Sequence, residues 1–388
     1  SLVDERSAGY AALGLARELN APVLLVCTSG TAVLNLSPAV AEAFHQCIPL
    51  VILSADRPRE KISQFNNQVI NQNAPYFNHS KGFFEMPFEL RTESELKQAL
   101  MSVGLLLDEA LGPDAGPVHV NVPLLEPLYE LLPEPLHLFQ LPPRTSFGEE
   151  AYGVFDGDLS SRKMMLMLGM GNYDQEVEQV LGDLSSRYEL VAITENISNL
   201  RSEHGISNPE LVLAGASTSE LETLAPDLLI SFGGQVVSKR LRLFMDSLED
   251  LERLEIQGEA TKAIQALFSK QATGDGNKQN HFLESWKTIE KREADRAFNY
   301  TTQAPFSNLT AIQKVLSMAP APCTVHLGNS SVIRYSQLFP AREGMRYFSN
   351  RGTSGIDGSV SAAVGAASVS EGLHLLIVGD LSFVYDSN

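Results

Sequence analysis

Short apolar runs recur along this chain, separated by longer stretches with helical spacing, and that alternation constrains the fold more than any other feature. Residues 22–27 (PVLLVC), 49–54 (PLVILS), 117–122 (PVHVNV), 163–168, 189–194, 227–232, 324–327 and 373–378 read as buried strands. A strand with one wet face alternates apolar and polar residues. These runs are mostly apolar, which suits parallel sheets covered on both faces. The segments 7–19, 93–107 and 309–318 carry the spacing of amphipathic helices. The expected class is therefore α/β, with doubly wound parallel sheets.

Two stretches interrupt the pattern. Residues 132–148 hold Pro133, Pro135, Pro142 and Pro143 without a clear period, as an extended linker does. Residues 274–280 (GDGNKQN) form a polar loop ahead of a charged helical segment at 282–296, and a short break follows at 301–305. At roughly 100–200 residues per domain, a chain of this length holds two to four domains. The breaks divide it into three, at 1–132, 150–298 and 300–388. The chain opens at Ser1 directly on a charged helix start and closes at Asn388 just after a buried-looking strand. It is expected to be part of a longer protein, with its first and last domains incomplete.

The net charge of −18 argues against a nucleic-acid backbone or an anionic membrane as partner. Cys27, Cys47 and Cys323 are far apart and odd in number. They make no disulfide framework and read as small buried apolar residues in a reducing cytoplasm. No apolar run reaches the roughly 18–20 residues of a membrane span, and no basic-then-apolar leader opens the chain.

Several turns carry residues suited to chemistry, each with an ordinary structural explanation beside it. Asp380 follows the run 373–378 with Gly379 between. Ligands of open α/β sheets sit beyond the carboxyl ends of strands, and a carboxylate there can hold Mg²⁺. It can equally cap a helix. Asp4-Glu5-Arg6 opens a helix, where acidic residues favour the dipole. Thr28-Ser29-Gly30 sits between strand and helix, where backbone N–H groups and hydroxyls bind polar ligands, although many such turns use these residues. Arg57, Asn66-Asn67-Gln68, Lys239-Arg240, Ser330, Arg334 and Arg351 lie close after other strand ends. Taken singly, each cation is a solvated surface charge. Taken together in so acidic a chain, arginines at strand ends suit capture of carboxylates.

These strings, in this order, resemble a known family. DER at 4–6, TSGTA at 28–32, SADRP at 54–58 and NNQ at 66–68 come first. SKR at 238–240, GNSSVIR at 328–334, SNRGTSGIDG at 349–358 and VGDLSFVYDSN at 378–388 follow. The whole chain resembles the 2-succinyl-5-enolpyruvyl-6-hydroxy-3-cyclohexene-1-carboxylate (SEPHCHC) synthases, thiamine diphosphate-dependent enzymes of menaquinone biosynthesis. The resemblance implies three α/β domains: a pyrimidine-binding one at 1–132, a central Rossmann-like one at 150–298 and a diphosphate-binding one at 300–388. It implies a homodimer or homotetramer in the cytoplasm. The implied chemistry is decarboxylation of 2-oxoglutarate and conjugate addition of the resulting carbanion to isochorismate. Glu5 matches the catalytic glutamate that hydrogen-bonds the aminopyrimidine, a role for which burial would raise its pKa. Asp380 matches a Mg²⁺ ligand, with Mn²⁺ as a substitute metal. Thr28, Ser29, Gly30, Ser330, Gly379 and Asp380 match cofactor positions. Arg57, Asn67, Gln68, Lys239, Arg240, Ser330, Arg334 and Arg351 match substrate positions, as two dicarboxylate substrates require.

The family has an earlier strand and a Gly-Ser-Arg-Ser-type turn before the glutamate, and an asparagine metal ligand some way past the aspartate. Residues 1–388 include neither, so weak cofactor binding and little turnover are expected of them. One rival is another thiamine-dependent 2-oxo acid decarboxylase or an acetolactate-type synthase, which needs fewer cations and lacks SNRGTSGIDG. The other is a non-catalytic nucleotide-binding module, suggested by Gly169-Met170-Gly171. There the third glycine of a dinucleotide fingerprint would fall at Asp174, and the match fails.

Overall fold

A computed structural model describes residues 1–62, 67–125, 155, 157–256, 258–269 and 279–387. The proline-rich stretch 132–148, Asn66, Asn388 and most of the polar loop 274–280 lie outside the described residues. The chain forms two compact units, one of Ser1–Glu149, Gly352–Glu371 and Ser382–Asn388, the other of Glu150–Arg351 and Gly372–Leu381.

The first unit is built on a parallel sheet of β1 (Val23–Cys27), β2 (Leu50–Asp56), β3 (Gly82–Glu85) and β4 (Val118–Pro123), in the order β1-β2-β4-β3. Because side chains alternate along a strand, β2 supplies both faces. Leu50 and Ile52 join Leu13, Val33, Val40 and Tyr76 on one side. Val51 joins Leu106, Val118 and Val120 on the other. The helix Glu5–Leu19 begins at Asp4, whose carboxylate accepts from Ser7 N at 2.8 Å, so the ordinary capping explanation of Asp4 holds. The helix Ser359–Ala367 packs along Glu5–Leu19, and glycines set the approach. A Cβ on Gly14 would lie 1.9 Å from Ala362 O, and one on Gly365 would lie 2.0 Å from Ala11 O.

The second unit holds two parallel sheets. One has the order β7-β6-β5-β8-β9, with β5 (Lys163–Leu168), β6 (Glu189–Ile193), β7 (Gly205–Ile206), β8 (Leu228–Phe232) and β9 (Glu252–Ile256). The other has the order β11-β10-β12, with β10 (Cys323–Leu327), β11 (Met345–Phe348) and β12 (Leu373–Ile377). Met164, Leu166 and Leu168 of β5 face one core, and Met165 faces the other. The sheets meet through Ile197 and Val237, which pack with Val325, Ile333 and Tyr347.

The α/β class and the parallel pairing expected from the apolar runs are as observed. The reading of all three cysteines as buried needs correction. Cys323 is buried and Cys27 half-buried, but Cys47 is exposed. Cys47 sits at φ 54° in the turn after the helix Ser37–His45, so its place is set by the turn and not by the core.

Candidate cofactor and substrate site

In the first unit, the expected residues collect where β1 and β2 end. Glu5 is the first residue of its helix and half-buried, and its Oε2 accepts from Asn35 Nδ2 at 3.3 Å. Its charge also reaches the last residue of β1. Burial, then the Glu5 carboxylate, push the Cys27 thiol up to about 11. The turn that follows is tied to Gln68. Gln68 Nε2 donates to Thr28 Oγ1 at 3.0 Å and to Ser29 O at 3.2 Å, and Ser29 Oγ donates to Gln68 O at 3.1 Å. Gly30 has φ 84°, and a Cβ there would press on Gln68 at 3.1 Å. Glycine is thus required for both conformation and space. Arg57 is half-buried immediately after β2, and its N–H donates to Asp56 Oδ1 at 2.7 Å. Asn67 is exposed beside Gln68.

A buried polar network joins these turns. Gln72, wholly buried, accepts from Gly30 N at 2.9 Å and donates to Ala55 O at 3.0 Å and Asn121 Oδ1 at 2.9 Å. Asn121 Nδ2 donates to Asp56 Oδ2 at 2.8 Å. Ser54 Oγ donates to Asn121 Oδ1 at 2.8 Å and lies 2.7 Å from His119 Nε2. Sequence reasoning read 117–122 only as a strand. Its signal was the pair His119 and Asn121, two residues apart and so on one face of an otherwise apolar run.

His119 gives a pH prediction. Burial lowers its pKa to about 4, so the folded protein keeps the ring neutral. An unfolded histidine titrates near 6.5. Stability from this group is therefore present above the unfolded value and lost as pH falls from 6.5 through 4, roughly 3 kcal/mol in all. Denaturant midpoints at pH 7, 5 and 4 should fall more steeply for the wild type than for His119→Gln. Equal slopes would show that the ring charges freely in the folded state.

In the second unit, three turns gather along one sheet edge, because β11, β10 and β12 are adjacent and parallel. After β10, Gly328 N donates to Ile377 O at 2.8 Å, and a Cβ on Gly328 would meet Val378 at 3.1 Å. That contact sets Gly328-Asn329-Ser330 beside Val378-Gly379-Asp380. Asn329 Nδ2 donates to Asn350 O at 2.6 Å, and Arg351 Nη1 donates to Asn329 Oδ1 at 3.2 Å. Asn329, inside the string GNSSVIR, is a positioning group to which the motif reading gave no role. Ser330 caps the helix Ser331–Ser336 at φ 70°, with Arg334 exposed on that helix. Asp380 is exposed at the start of the helix Asp380–Tyr385, and Gly379 has nothing within 4 Å of where a Cβ would point.

Lys239 and Arg240 open the helix Lys239–Asp246, both exposed, after the cap Ser238. Arg240 Nε lies 3.2 Å from Glu210 Oε1, and Arg240 N donates to Glu210 Oε2 at 3.1 Å. Gly169-Met170-Gly171 has a packing explanation. A Cβ on Gly169 would lie 1.5 Å from Gly234 O, and one on Gly171 would lie 2.9 Å from the Tyr173 ring. Asp174 caps the next helix, accepting from Glu176 N at 3.0 Å.

The sheet edge fits a magnesium–diphosphate group by its donors. Asp380 offers one hard carboxylate, and Mg²⁺ commonly takes one or two carboxylates plus phosphate oxygens. No group of three acidic, His or Cys side chains suited to a metal occurs among the described residues. Asn350, buried, has a side-chain amide nitrogen with no hydrogen-bond partner among the described residues.

Comparison with known proteins gives the family. Residues 1–75 match the thiamine pyrophosphate enzyme, N-terminal TPP binding domain. Over its full length the chain is 36% identical to 2-succinyl-5-enolpyruvyl-6-hydroxy-3-cyclohexene-1-carboxylate synthase of Desulfotalea psychrophila, spanning 74% of that protein. The chain belongs to the SEPHCHC synthase family. The family member of Christiangramia forsetii is 35% identical and spanned to 73%, and that of Porphyromonas gingivalis 36% identical and spanned to 71%. The SEPHCHC synthases are thiamine diphosphate-dependent enzymes of menaquinone biosynthesis, and the protein is an enzyme of this kind. That removes the non-catalytic rival. No helix among the described residues is long and apolar enough to cross a membrane.

Proposed function

We propose that the protein decarboxylates 2-oxoglutarate and adds the remaining four-carbon unit to isochorismate, giving SEPHCHC, with Mg²⁺ anchoring the cofactor. The observation that carries this reading is the placement of cations after strand ends in a chain of net charge −18, at Arg57, Lys239, Arg240, Arg334 and Arg351. Two dicarboxylates need such a set, whereas a pyruvate decarboxylase or acetolactate-type synthase does not. When bound, thiamine diphosphate supplies the electron sink for decarboxylation. Glu5 would share a proton with the aminopyrimidine, Asp380 would ligate the metal with Ser330 and Gly379 beside the diphosphate, and Thr28, Ser29 and Gly30 would line the pyrimidine side. Arg57, Asn67, Gln68, Lys239, Arg240, Ser330, Arg334 and Arg351 would meet substrate.

We also take the three sheets to mark three domains, 1–132, 150–298 and 300–388, in a cytoplasmic homodimer or homotetramer. Sedimentation tests the assembly. The chemistry is tested by incubating the full protein with thiamine diphosphate, Mg²⁺ and 2-oxoglutarate, with and without isochorismate. Product that needs isochorismate is expected. Turnover of pyruvate alone would favour the decarboxylase reading. Arg334→Ala is expected to raise the KM for one dicarboxylate by roughly 10- to 100-fold, the worth of one charge-assisted hydrogen bond. Unchanged KM for both substrates would remove Arg334 from the site.

A further inference from the structure

One buried acid is absent from every motif above, yet it hydrogen-bonds one of them and lies within reach of the charge of another. Glu195 follows β6, and its side chain is 1% exposed. Its carboxylate accepts from Val237 N at 2.5 Å and from Ser238 N at 2.8 Å. These N–H groups belong to the turn that delivers Lys239 and Arg240. The charge of Arg351, from a distant segment of the same unit, acts on the same carboxylate. Arg351 is in turn held by Asn329, next to Ser330.

We propose that Glu195 is a positioning residue for substrate binding, holding the turn before Lys239 and Arg240 and orienting Arg351, so that cations from two segments serve one dicarboxylate. This rests on the reading that those three cations bind substrate. A carboxylate suits the task because both its oxygens accept. Glutamine has the same shape but would turn an NH₂ toward one of the two N–H donors. Burying a charge is costly unless it is paired and hydrogen-bonded. Burial pushes this carboxyl up to about 7, although both backbone donors and Arg351 pull it down. Glu210 straps the same turn from outside, accepting from Ser238 Oγ at 2.8 Å and pairing with Arg240. Glu195 both hydrogen-bonds this turn and feels the charge of Arg351.

The test uses the full protein saturated with thiamine diphosphate and Mg²⁺. Glu195→Gln should raise the KM for 2-oxoglutarate roughly tenfold while kcat stays within about twofold, because the loss is in binding geometry. The Kd of glutarate, an unreactive dicarboxylate, should rise by the same factor in calorimetry. Glu195→Asp, which keeps the charge, should fall between the variant and the wild type. Arg351→Lys should also raise the KM, and combining it with Glu195→Gln should add little, since the two act as one unit. A lower unfolding midpoint with unchanged KM and Kd would make Glu195 merely structural and overturn the proposal. So would effects that multiply in the double variant. If Arg351→Lys weakens glutarate binding and Glu195→Gln does not, this inference alone falls. If neither variant moves it, the substrate reading falls as well.

Discussion

Glu5→Gln is expected to lower kcat by roughly 10²- to 10⁴-fold, the range for removing a general acid–base group. The substitution is nearly isosteric. Glutamine can still accept from Asn35 Nδ2, which lies 3.3 Å from the Glu5 carboxylate, and Asp4 still caps the helix. What it cannot do is pass a proton to and from a ring nitrogen, which is the role proposed for this residue. Binding of thiamine diphosphate should therefore change far less than kcat. Charge removal has one further local reporter. The Glu5 carboxylate helps to raise the Cys27 thiol, so its loss should lower the thiol pKa and speed alkylation of Cys27 at pH 8–9. Faster alkylation with undiminished kcat would show that Glu5 sits where the structure has it but carries no proton in the reaction.

The contrast between what could and could not be read from residues alone has a physical pattern. The strands recognised from their apolar runs include the interior strands β2, β4, β5, β6, β8 and β10. Among the described residues, the four strands not recognised, β3, β7, β9 and β11, all lie at sheet edges. An edge strand needs no apolar residues on every side, and β9 (ERLEI) carries three charges. Periodicity is silent there, and only pairing with a neighbour defines the strand. The candidate site divides in the same way. Residues proposed to face a ligand stand in recognisable turns, as Thr28, Arg57, Ser330 and Asp380 do. Residues that hold those turns, such as Gln72, Asn121, Asn329 and Glu195, are buried polar groups whose partners are far away in sequence. Local patterns mark Asn121 and Asn329 at most as polar positions and do not give their role, because that role is a hydrogen bond made only after folding.

The string SNRGTSGIDG shows both kinds of residue in one segment. Its arginine, Arg351, is bonded to Asn329 in the second unit. Its later part is used for packing in the first. Glu42, 1% exposed, accepts from Gly352 N at 2.7 Å and from Thr353 N and Oγ1 at 2.6 Å each. Tyr10 OH donates to Asp357 Oδ2 at 3.1 Å, and Gly358, at φ 72°, lies so close to the Tyr10 ring that a Cβ would fall 2.1 Å from it. A family-specific string is therefore not by itself a string of ligand contacts. Part of it specifies how the helix bearing Glu5 is held.

Gly14→Ala and Gly104→Ala are expected to change stability in opposite directions, although both replace a helical glycine with alanine. At Gly104, in the helix Glu93–Leu111, a Cβ would meet nothing within 4 Å. Alanine there should stabilise by roughly 0.4–1 kcal/mol through helix propensity and the unfolded state. At Gly14 the same gain is offset by sterics. A Cβ would lie 1.9 Å from Ala362 O and 2.8 Å from Ala362 C. Those are backbone atoms of the facing helix, so no rotamer can relieve the clash. The helices Glu5–Leu19 and Ser359–Ala367 would have to separate along the whole contact. Overpacking of this kind costs roughly 1–3 kcal/mol and sometimes more, and separation would also loosen Tyr10 from Asp357 and Gly358. The net expectation for Gly14→Ala is a loss of about 2 kcal/mol or more. Denaturant midpoints of the two variants beside the wild type decide it. Since the moving helix begins at Glu5, Gly14→Ala should also lower kcat at temperatures where the protein remains folded. If Gly14→Ala were as stabilising as Gly104→Ala, the close approach of these helices would not exist in solution, and neither would the support it gives to the proposed catalytic glutamate.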